Sequence, residues 1–178
     1  MTKSTYLNSE KKHAVREFLF NHFTFNKIVG LAGPDINEYI SWCKDKGYDD
    51  FEIWENDPFT AVKQLGKVEY PVNYKFGNII NTSVKNDVLY DLDYCVSVRY
   101  MEQHLKKFKD NFIMTFSTRI GVQETIDSFF KFREERFFIT KGIDGPGLRN
   151  KVFTTSEGKY LFTTYFDTSA MCCFAKIA

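Results

Sequence analysis

The chain contains 178 residues with a mass of 20.9 kDa, which predicts one domain, because domains usually contain about 100–200 residues. Apolar residues make up 43% of the sequence and aromatic residues 17%, which excludes a disordered chain, because burial of so many aromatic side chains offsets the entropy lost on folding. The 24 Lys and Arg against 23 Asp and Glu give a net charge of +1, which excludes a strong attraction of the whole molecule to nucleic acid or to an anionic membrane.

The sequence shows no targeting or metal-binding signature. Residues 1–12 are polar, and no apolar run reaches the roughly 18–20 residues of a membrane-spanning helix, so we expect a soluble, cytoplasmic protein. The three histidines lack metal-ligand spacing, and the four cysteines form no Cys-x-x-Cys motif, so we expect no metal site. The abundance of Phe, Lys, Asn, Tyr and Ile is typical of an A/T-rich coding sequence, which together with the small size indicates a virus or a mobile element as the source.

Hydrophobic spacing predicts helices and strands that alternate from the N-terminus. Val15, Phe18 and Leu19 have helical spacing and predict a helix over about residues 9–22, with Ser9 as its N-cap. We expect this N-terminal helical segment, residues 1–24, to pack on the rest of a single domain that spans residues 1–178. The elements predicted next are a strand at Lys27–Leu31, a helix from Ile36 to Cys43 that ends at Gly47, and a strand at Phe51–Trp54.

The next helix has a clear start and an apolar stripe. Asp57 is a good N-cap, and Pro58 suits the first helical position, where its missing N–H costs nothing. Phe59, Val62 and Leu65 have the spacing of a buried stripe, and Gly66 is the predicted end of this helix.

The second half of the chain predicts further alternation and then a change to strands alone. The predicted elements are strands near Val72–Ile80, Asp87–Asp93 and Phe112–Phe116, helices marked by Met101, Leu105 and Phe108 and by Ile126, Phe129 and Phe130, and β segments from Val152 to Ile177. We expect the β segments to form a hairpin or meander, with a turn at 156–158 and a bend at 167–169. Phe137 and Phe138 are assigned to core and helix packing, and residues 133–136 to a salt-bridged surface.

These elements together predict an α/β fold. Strands that alternate with helices indicate a parallel sheet, whereas the short connections near the C-terminus permit only antiparallel pairing. The expected architecture is a three-layer, Rossmann-like, mainly parallel sheet with helices on both faces and a C-terminal antiparallel β-hairpin. In such sheets ligands bind beyond the carboxyl ends of the strands.

Two strand ends suggest a cofactor site. Gly30 and Gly33 follow the first strand, where glycines permit a tight turn close to a ligand at a helix N-terminus, although a plain turn explains them equally well. Glu55 ends the second strand, about 20 residues further on, where an acid is placed to accept hydrogen bonds from the two hydroxyls of a ribose. The alternative is that Glu55 is a solvated loop acid.

The end of the fourth strand carries candidate catalytic residues. Asp91 and Asp93 share a face if the strand continues that far, and a carboxylate at the rim of the sheet can position or deprotonate a nucleophile. Tyr94 is suited to stack on a planar substrate. The alternative is a strand end that leads into a polar loop.

Over about residues 25–178 this layout resembles the class I S-adenosylmethionine (SAM)-dependent methyltransferases. The resemblance implies that Gly30 and Gly33 hold the methionine part of SAM, Glu55 the ribose, and Asn78, after the third strand, the adenine. The stretch Asp91-Leu-Asp93-Tyr94 looks like the Asp-Ile-Asp-Pro-Phe acceptor motif of some tRNA-modifying members or like Asp-Pro-Pro-Tyr. The predicted antiparallel last strand, at about Met171–Ile177, is a feature that the chain shares with that family.

Three functions remain open at this stage. The first is a methyltransferase in which Asp93 orients or deprotonates the acceptor, which we expect to be a nucleic-acid base. The second is a methyltransferase-like binding module that no longer catalyses, which the missing motif prolines favour. The third is a nicotinamide-dependent oxidoreductase, because Glu55 suits the ribose of that cofactor as well.

Overall fold

The computed structural model describes residues 10–21, 23–145, 148–166 and 169–178. The helices are α1 (Glu10–Phe20), α2 (Ile36–Asp45), α3 (Pro58–Lys67), α4 (Glu102–Lys107) and α5 (Val122–Phe132), with single 3-10 turns at Ile79–Asn81 and Val98–Tyr100. The strands are β1 (Lys27–Gly30), β2 (Phe51–Glu55), β3 (Asn73–Phe76), β4 (Val88–Ser97), β5 (Phe112–Ser117), β6 (Phe137–Gly145), β7 (Leu148–Thr155), β8 (Gly158–Phe166) and β9 (Ala170–Lys176).

The described strands form one nine-stranded sheet in the order β3-β2-β1-β4-β5-β9-β8-β7-β6. Strands β1 to β5 pair in parallel, because the connections between them return the chain to the same edge of the sheet. These connections run through α2, α3, the 3-10 turn at Ile79–Asn81 and α4. Strands β6 to β9 form an antiparallel meander, and β9 inserts beside β5 with Thr115 opposite Cys173. The predicted Rossmann-like α/β fold with helices on both faces and an antiparallel C-terminal part is confirmed. The sheet is mixed rather than mainly parallel, because four of its eight described strand pairings are antiparallel and the C-terminal part has four strands instead of a hairpin.

Helices cover both faces of the sheet. On one face, Leu105 of α4 and Phe129 of α5 pack against Tyr90 of β4 and Phe116 of β5. On the other face, the buried side chains of α1 and α2 pack against Ile28, Leu89 and Ile113. Neighbouring residues of β4 and β5 alternate between the two cores, as the two-residue period of a strand requires.

The apolar stripe of α3 faces solvent rather than the core, contrary to the prediction from its spacing. Phe59, Val62 and Leu65 were expected to be buried, but their side chains are 79%, 71% and 55% exposed. The buried side chains of α3 are Ala61 and Gln64. Gln64 is fully buried because its amide donates to the Gly33 carbonyl (2.5 Å) and accepts from the Tyr74 hydroxyl (2.5 Å), which satisfies both of its polar groups.

Two further expectations for the second half are wrong. Phe138 does not pack in the core but is 62% exposed on the edge strand β6, whereas Phe137 packs as expected, with its ring stacked 4.5 Å from that of Phe130 on α5. Arg133 and Glu135 do not lie on a salt-bridged surface, because their ion pair is buried, with side chains 3% and 4% exposed. The meander therefore begins at Phe137, before the predicted Val152.

The boundaries of the other elements differ from the expected ones by a few residues. Gly47 has a φ of 92° just after α2, which confirms it as the residue that ends this helix. The third strand is shorter than predicted, because the chain after Phe76 turns into a 3-10 helix. Ser9, His22 and residues 167–168, which the sequence analysis used for a cap, a helix end and a bend, lie outside the described residues. Within the described part of the chain, no helix is both long and apolar enough to span a membrane.

Candidate cofactor-binding and active site

A pocket of about 490 Å³ lies at the carboxyl ends of the parallel strands. Its walls come from the last residues of β2 and β4, from the segments that follow β1, β2, β3 and β4, and from the first residues of α3 and α4. It brings together five of the seven candidate residues, which are Gly33, Glu55, Asn78, Asp93 and Tyr94. Gly30 and Asp91 are not among the residues that line it.

The turn after β1 forms one wall of the pocket. Gly33 has a φ of 70°, a conformation that L-residues with a side chain rarely adopt. The buried Gln64 amide holds the Gly33 carbonyl, so α3 fixes the shape of this turn. Leu31, Ala32 and Pro34 line the same wall and give it an apolar character.

A structural requirement that the sequence did not reveal explains the glycine at position 30. A Cβ added to Gly30 would lie 2.8 Å from the Asp91 carbonyl oxygen of the neighbouring strand and 3.3 Å from the Tyr39 hydroxyl. Glycine is therefore required here by the close approach of β1, β4 and α2, below the pocket.

Asp91 is buried beneath the pocket rather than exposed at its rim. Its carboxylate accepts a hydrogen bond from the Tyr39 hydroxyl (2.7 Å) and lies 3.3 Å from Nε of Arg16 on α1. Arg16 also lies 3.9 Å from the Asp93 carboxylate, so the two aspartates do share one face of β4. The helix α1 covers Asp91, which is 1% exposed, whereas Asp93 reaches the pocket.

Glu55 stands at the end of β2, on the opposite side of the pocket from β4. Its Oε1 accepts a hydrogen bond from the Asp57 backbone N–H (2.9 Å), which orients the carboxylate. The pKa of Glu55 is raised above its ordinary value, mainly because partial burial disfavours the charged form. The nearby Asp57 charge adds to this rise, and backbone hydrogen bonds to the carboxylate oppose it. A ligand that donates hydrogen bonds or carries positive charge therefore stabilises the ionised form of this carboxylate.

Asn78 follows β3 and caps the 3-10 turn at Ile79–Asn81. Its side-chain oxygen accepts from the Ile80 N–H (3.1 Å), so the amide nitrogen is the part of this side chain that remains for a ligand. The preceding Gly77 has a φ of 145° and donates its N–H to the Glu55 carbonyl (2.8 Å). This bond ties the end of β3 to the end of β2.

Strand β4 bulges at the pocket. Asp93 pairs with Thr115 and Ser97 with Ser117, so β4 has two more residues than β5 between these pairs. Within the bulge, Cys95 has a φ of 53°, and its thiol donates to the Asp93 carboxylate (2.9 Å). A bulge bends its strand and redirects side chains, and here Asp93, Tyr94 and Cys95 all line the pocket.

His104 is a pocket residue that the sequence analysis considered only as a metal ligand. Its Nδ1 lies 2.8 Å from the Tyr94 hydroxyl, and the two rings meet edge to face. Burial and the nearby Lys107 lower the pKa of His104, which favours the neutral ring, while burial raises the pKa of Tyr94. His104 could have been predicted as a pocket residue from the position of α4, because the first turn of this helix follows β4 at the same edge of the sheet as the pocket.

The polar groups of the pocket are unbalanced in charge. Glu55, Asp57 and Asp93 contribute three carboxylates, and neither lysine nor arginine is among the described residues that line it. Arg16 lies 3.9 Å from the Asp93 carboxylate and partly balances it, so Glu55 and Asp57 carry most of the remaining negative charge, and such a site favours a cationic ligand over an anionic one.

The sequence matches no protein-family model and no curated protein. Solved structures do match. A precorrin-6y C5,15-methyltransferase from Geobacter metallireducens has a TM-score of 0.56 at 9% identity, covering 100% of this chain and 94% of that one. A putative RNA methyltransferase from Pyrococcus horikoshii has a TM-score of 0.53 at 13% identity, covering 94% of this chain and 82% of that one.

A third similar structure is a tRNA (uracil-54, C5)-methyltransferase from Pyrococcus abyssi in complex with S-adenosyl-L-homocysteine. Its TM-score is 0.53 at 11% identity, and the match covers 93% of this chain but 37% of that one. These likenesses, together with the sheet order, define the class of structure. The chain has the fold of the class I SAM-dependent methyltransferases, as the resemblance in sequence implied.

Proposed function

We propose that this chain is a SAM-dependent methyltransferase built as one domain. The observation that carries the proposal is the pocket, which collects Gly33, Glu55, Asn78 and Asp93 from the carboxyl ends of four parallel strands and the turns that follow them. Its carboxylates suit SAM, because that cofactor carries a positive sulfonium group and a ribose with two hydroxyl donors. The same carboxylates disfavour the nicotinamide alternative, because its diphosphate would be repelled.

Each residue has a role in this proposal. Glu55 accepts hydrogen bonds from the ribose hydroxyls, the Gly33 turn lies against the methionine part, and the Asn78 amide donates to the adenine. When bound, SAM supplies an electrophilic methyl group. Asp93 accepts a hydrogen bond from the N–H of the acceptor, holds the nucleophile in line with the methyl carbon and takes its proton.

We propose a nucleic-acid base as the acceptor. A base is planar and offers N–H groups to Asp93, and aromatic side chains provide surfaces for it. Tyr100 lines the pocket at its mouth with its side chain 75% exposed, so its ring is open for stacking. Tyr94 packs on Phe116 with the rings 5.7 Å apart, so this tyrosine shapes the wall of the acceptor region. Two of the similar structures are described as RNA or tRNA methyltransferases.

The first experiment is a thermal melt of the protein with SAM, S-adenosylhomocysteine and NAD in parallel. A ligand at about 100 times its Kd adds about 2.7 kcal/mol, which shifts the Tm of a domain of this size by several degrees. We expect a shift with SAM and with S-adenosylhomocysteine and none with NAD. A shift with NAD alone would contradict the proposal.

The second experiment tests the site. We expect Glu55→Ala to abolish the shift with SAM while the unliganded Tm stays near that of the wild type. Glu69→Ala is the matched control, because Glu69 is exposed and does not line the pocket. Unchanged SAM affinity in Glu55→Ala would remove Glu55 from the site.

A second candidate function is a binding module that holds SAM without methyl transfer. The observation that favours it is the burial of Asp91, which leaves Asp93 alone as the carboxylate that β4 presents to the pocket. Incubation of the protein with methyl-labelled SAM and total RNA distinguishes the two functions. Label transferred to RNA that disappears in Asp93→Asn supports catalysis, and SAM binding without transfer supports the module.

A further inference from the structure

Arg16 is a buried charge next to the carboxylate that we assign to proton transfer. It lies on α1, and its guanidinium faces two aspartates of β4. Its Nε lies 3.3 Å from Oδ2 of Asp91, and its Nη2 lies 3.9 Å from Oδ2 of Asp93. A guanidinium holds its nitrogens in a fixed plane, so one side chain contacts both carboxylates at once. Because Asp93 lines the pocket, Arg16 connects α1 to the candidate site.

The two aspartates need a positive charge beside them. Asp91 and Asp93 lie on the same face of β4, where the first is buried and the side chain of the second is 12% exposed. Two carboxylates in such a place repel each other, and one of them takes up a proton unless a cation offsets the repulsion. A protonated Asp93 is unable to take the proton of an acceptor N–H. Arg16 is always charged and therefore allows both aspartates to remain ionised.

Three other groups that face Asp93 are not cations. The Cys95 thiol, on the same strand, donates to the carboxylate (2.9 Å). Tyr165 of β8 and Cys173 of β9 are close enough to interact with its charge, and burial raises the pKa of each, so both stay neutral. The Cys95 thiol therefore favours the ionised carboxylate through one hydrogen bond, whereas Arg16 favours it through a full charge.

Aromatic contacts on both sides of Arg16 hold α1 in place. One turn before it, the His13 ring stacks on Trp42 of α2, with the ring centres 4.6 Å apart. One turn after it, the Phe20 ring lies 5.5 Å from Trp42 and 5.6 Å from Tyr48. The position of the guanidinium relative to β4 is therefore set by helix packing and does not depend on a ligand.

We propose that Arg16 is a positioning residue that holds the Asp93 carboxylate in its ionised form at the pocket, which makes α1 part of the active site. This inference rests on the proposed function, which gives Asp93 its task. As the acceptor nitrogen bonds to the methyl carbon, the electron pair of the C–S bond stays on sulfur, and the N–H proton passes to Asp93. Arg16 is not among the residues that line the pocket, so it acts through Asp93 alone.

Carboxyl ¹³C NMR of the full chain, labelled at aspartate and free of ligand, tests the proposal through the titration midpoint of Asp93. In Arg16→Met the midpoint should move upward by about 1 pH unit or more, which is the usual effect of losing an opposite charge at this range. Arg16→Lys keeps a positive charge without the planar fork, so its midpoint should lie between those of the wild type and Arg16→Met. An unchanged midpoint in Arg16→Met overturns the proposal.

Lys46→Met is the matched control for a loosened α1. It removes the exposed ion pair between Lys46 and Glu17 of α1 (2.8 Å), which anchors the same helix away from Asp93. The midpoint of Asp93 should therefore stay at the wild-type value in this variant. A shift as large as that of Arg16→Met would assign the effect to helix packing and overturn the proposal.

A second comparison guards against misfolding, because Arg16→Met leaves the buried Asp91 without its cation. Asp91→Asn removes that charge, and the double variant Asp91→Asn with Arg16→Met then leaves neither of these two buried charges unpaired. The midpoint of Asp93 should be higher in the double variant than in Asp91→Asn alone. Equal midpoints in these two proteins overturn the proposal.

Methyl transfer to RNA from labelled SAM separates this inference from the proposed function. In an active protein, the acid limb of the pH–rate profile should move upward in Arg16→Met together with the NMR midpoint, while the Kd for SAM stays nearly unchanged. An acid limb that does not move contradicts the role of Arg16. A wild type that transfers no methyl group contradicts catalysis, whereas a midpoint of Asp93 that is independent of Arg16 overturns this inference alone.

Discussion

The Tyr39 hydroxyl on α2 donates a 2.7 Å hydrogen bond to the Asp91 carboxylate on β4, and both side chains are fully buried. Arg16 adds its charge from α1, with its guanidinium 4.9 Å from the centre of the Tyr39 ring. These contacts hold Asp91 beneath the pocket, so its role is structural. Burial and the nearby Asp91 charge raise the pKa of Tyr39, so the tyrosine remains a donor at every physiological pH.

We therefore expect Tyr39→Phe to destabilise the fold without changing SAM affinity. The loss leaves a buried carboxylate short of one hydrogen bond, which costs about 1–3 kcal/mol. Urea denaturation measures the stability, and isothermal titration with SAM measures the affinity. A weaker affinity at unchanged stability would show that Tyr39 acts on the pocket and not on the fold.

The two aspartates of β4 should separate into a structural and a catalytic residue. We expect Asp93→Asn to slow methyl transfer by about 10²-fold or more, which is the usual contribution of a general base, with a nearly unchanged Kd for SAM. Asp91→Asn is the matched comparison and should mainly lower the Tm. Equal loss of activity in both variants at equal stability would contradict this division of roles.

SAM affinity should fall at acidic pH because of Glu55. Burial raises the pKa of Glu55, and a bound cation with hydroxyl donors favours the ionised form, so binding releases a proton where the free carboxyl is protonated. We expect the Kd to rise as pH falls toward the raised pKa, beginning at a higher pH than for an ordinary glutamate. Titrations of the wild type and Glu55→Gln across this range measure the effect. A wild-type pH dependence that persists unchanged in Glu55→Gln would assign it to another group.

His104 should make the fold less stable below neutral pH. Burial and Lys107 lower its pKa in the folded state, so the unfolded chain binds a proton more readily. Because the depressed group is a base, stability is present above its unfolded pKa of about 6.5 and declines as pH falls below that value. We expect the drop in Tm between pH 7.5 and pH 5.5 to be smaller in His104→Gln than in the wild type. An identical drop in both proteins would exclude this contribution.

The buried ion pair behind α5 should be essential for stability. Arg133 lies 3.0 Å from the Glu135 carboxylate and also donates to the carbonyls of Leu105 and Phe108 at the end of α4. Loss of one partner leaves the other charge buried and unpaired, so we expect Arg133→Met to cost about 3–5 kcal/mol. Arg136→Met is the control, because Arg136 is exposed, and it should change stability little. Urea denaturation of both variants makes the comparison.

The methyltransferase-like order of helices and strands was predicted from local sequence signals, and such signals locate the ends of these elements well. Asp57 with Pro58 started α3 as expected, and Gly47 ended α2, because caps act through the backbone of their own turn. The glycine turn and the acid one strand later were found for the same reason. Their positions at the carboxyl ends of parallel strands follow from the crossovers, so Gly33, Glu55 and Asn78 meet in one pocket.

The sequence by itself therefore determined the order of helices and strands, the fold class and five of the residues that line the pocket. Only the tertiary structure decided which face of each element is covered. Apolar spacing shows that α3 has a stripe but not that Gln64, satisfied by Gly33 and Tyr74, would take the buried side. Likewise, two aspartates on one face of β4 look equivalent until α1 buries one of them and a bulge turns the other to the pocket. Periodic spacing shows which face of an element is apolar, as it did for α2 and α5, whereas contacts between residues far apart in the chain decide whether that face is covered.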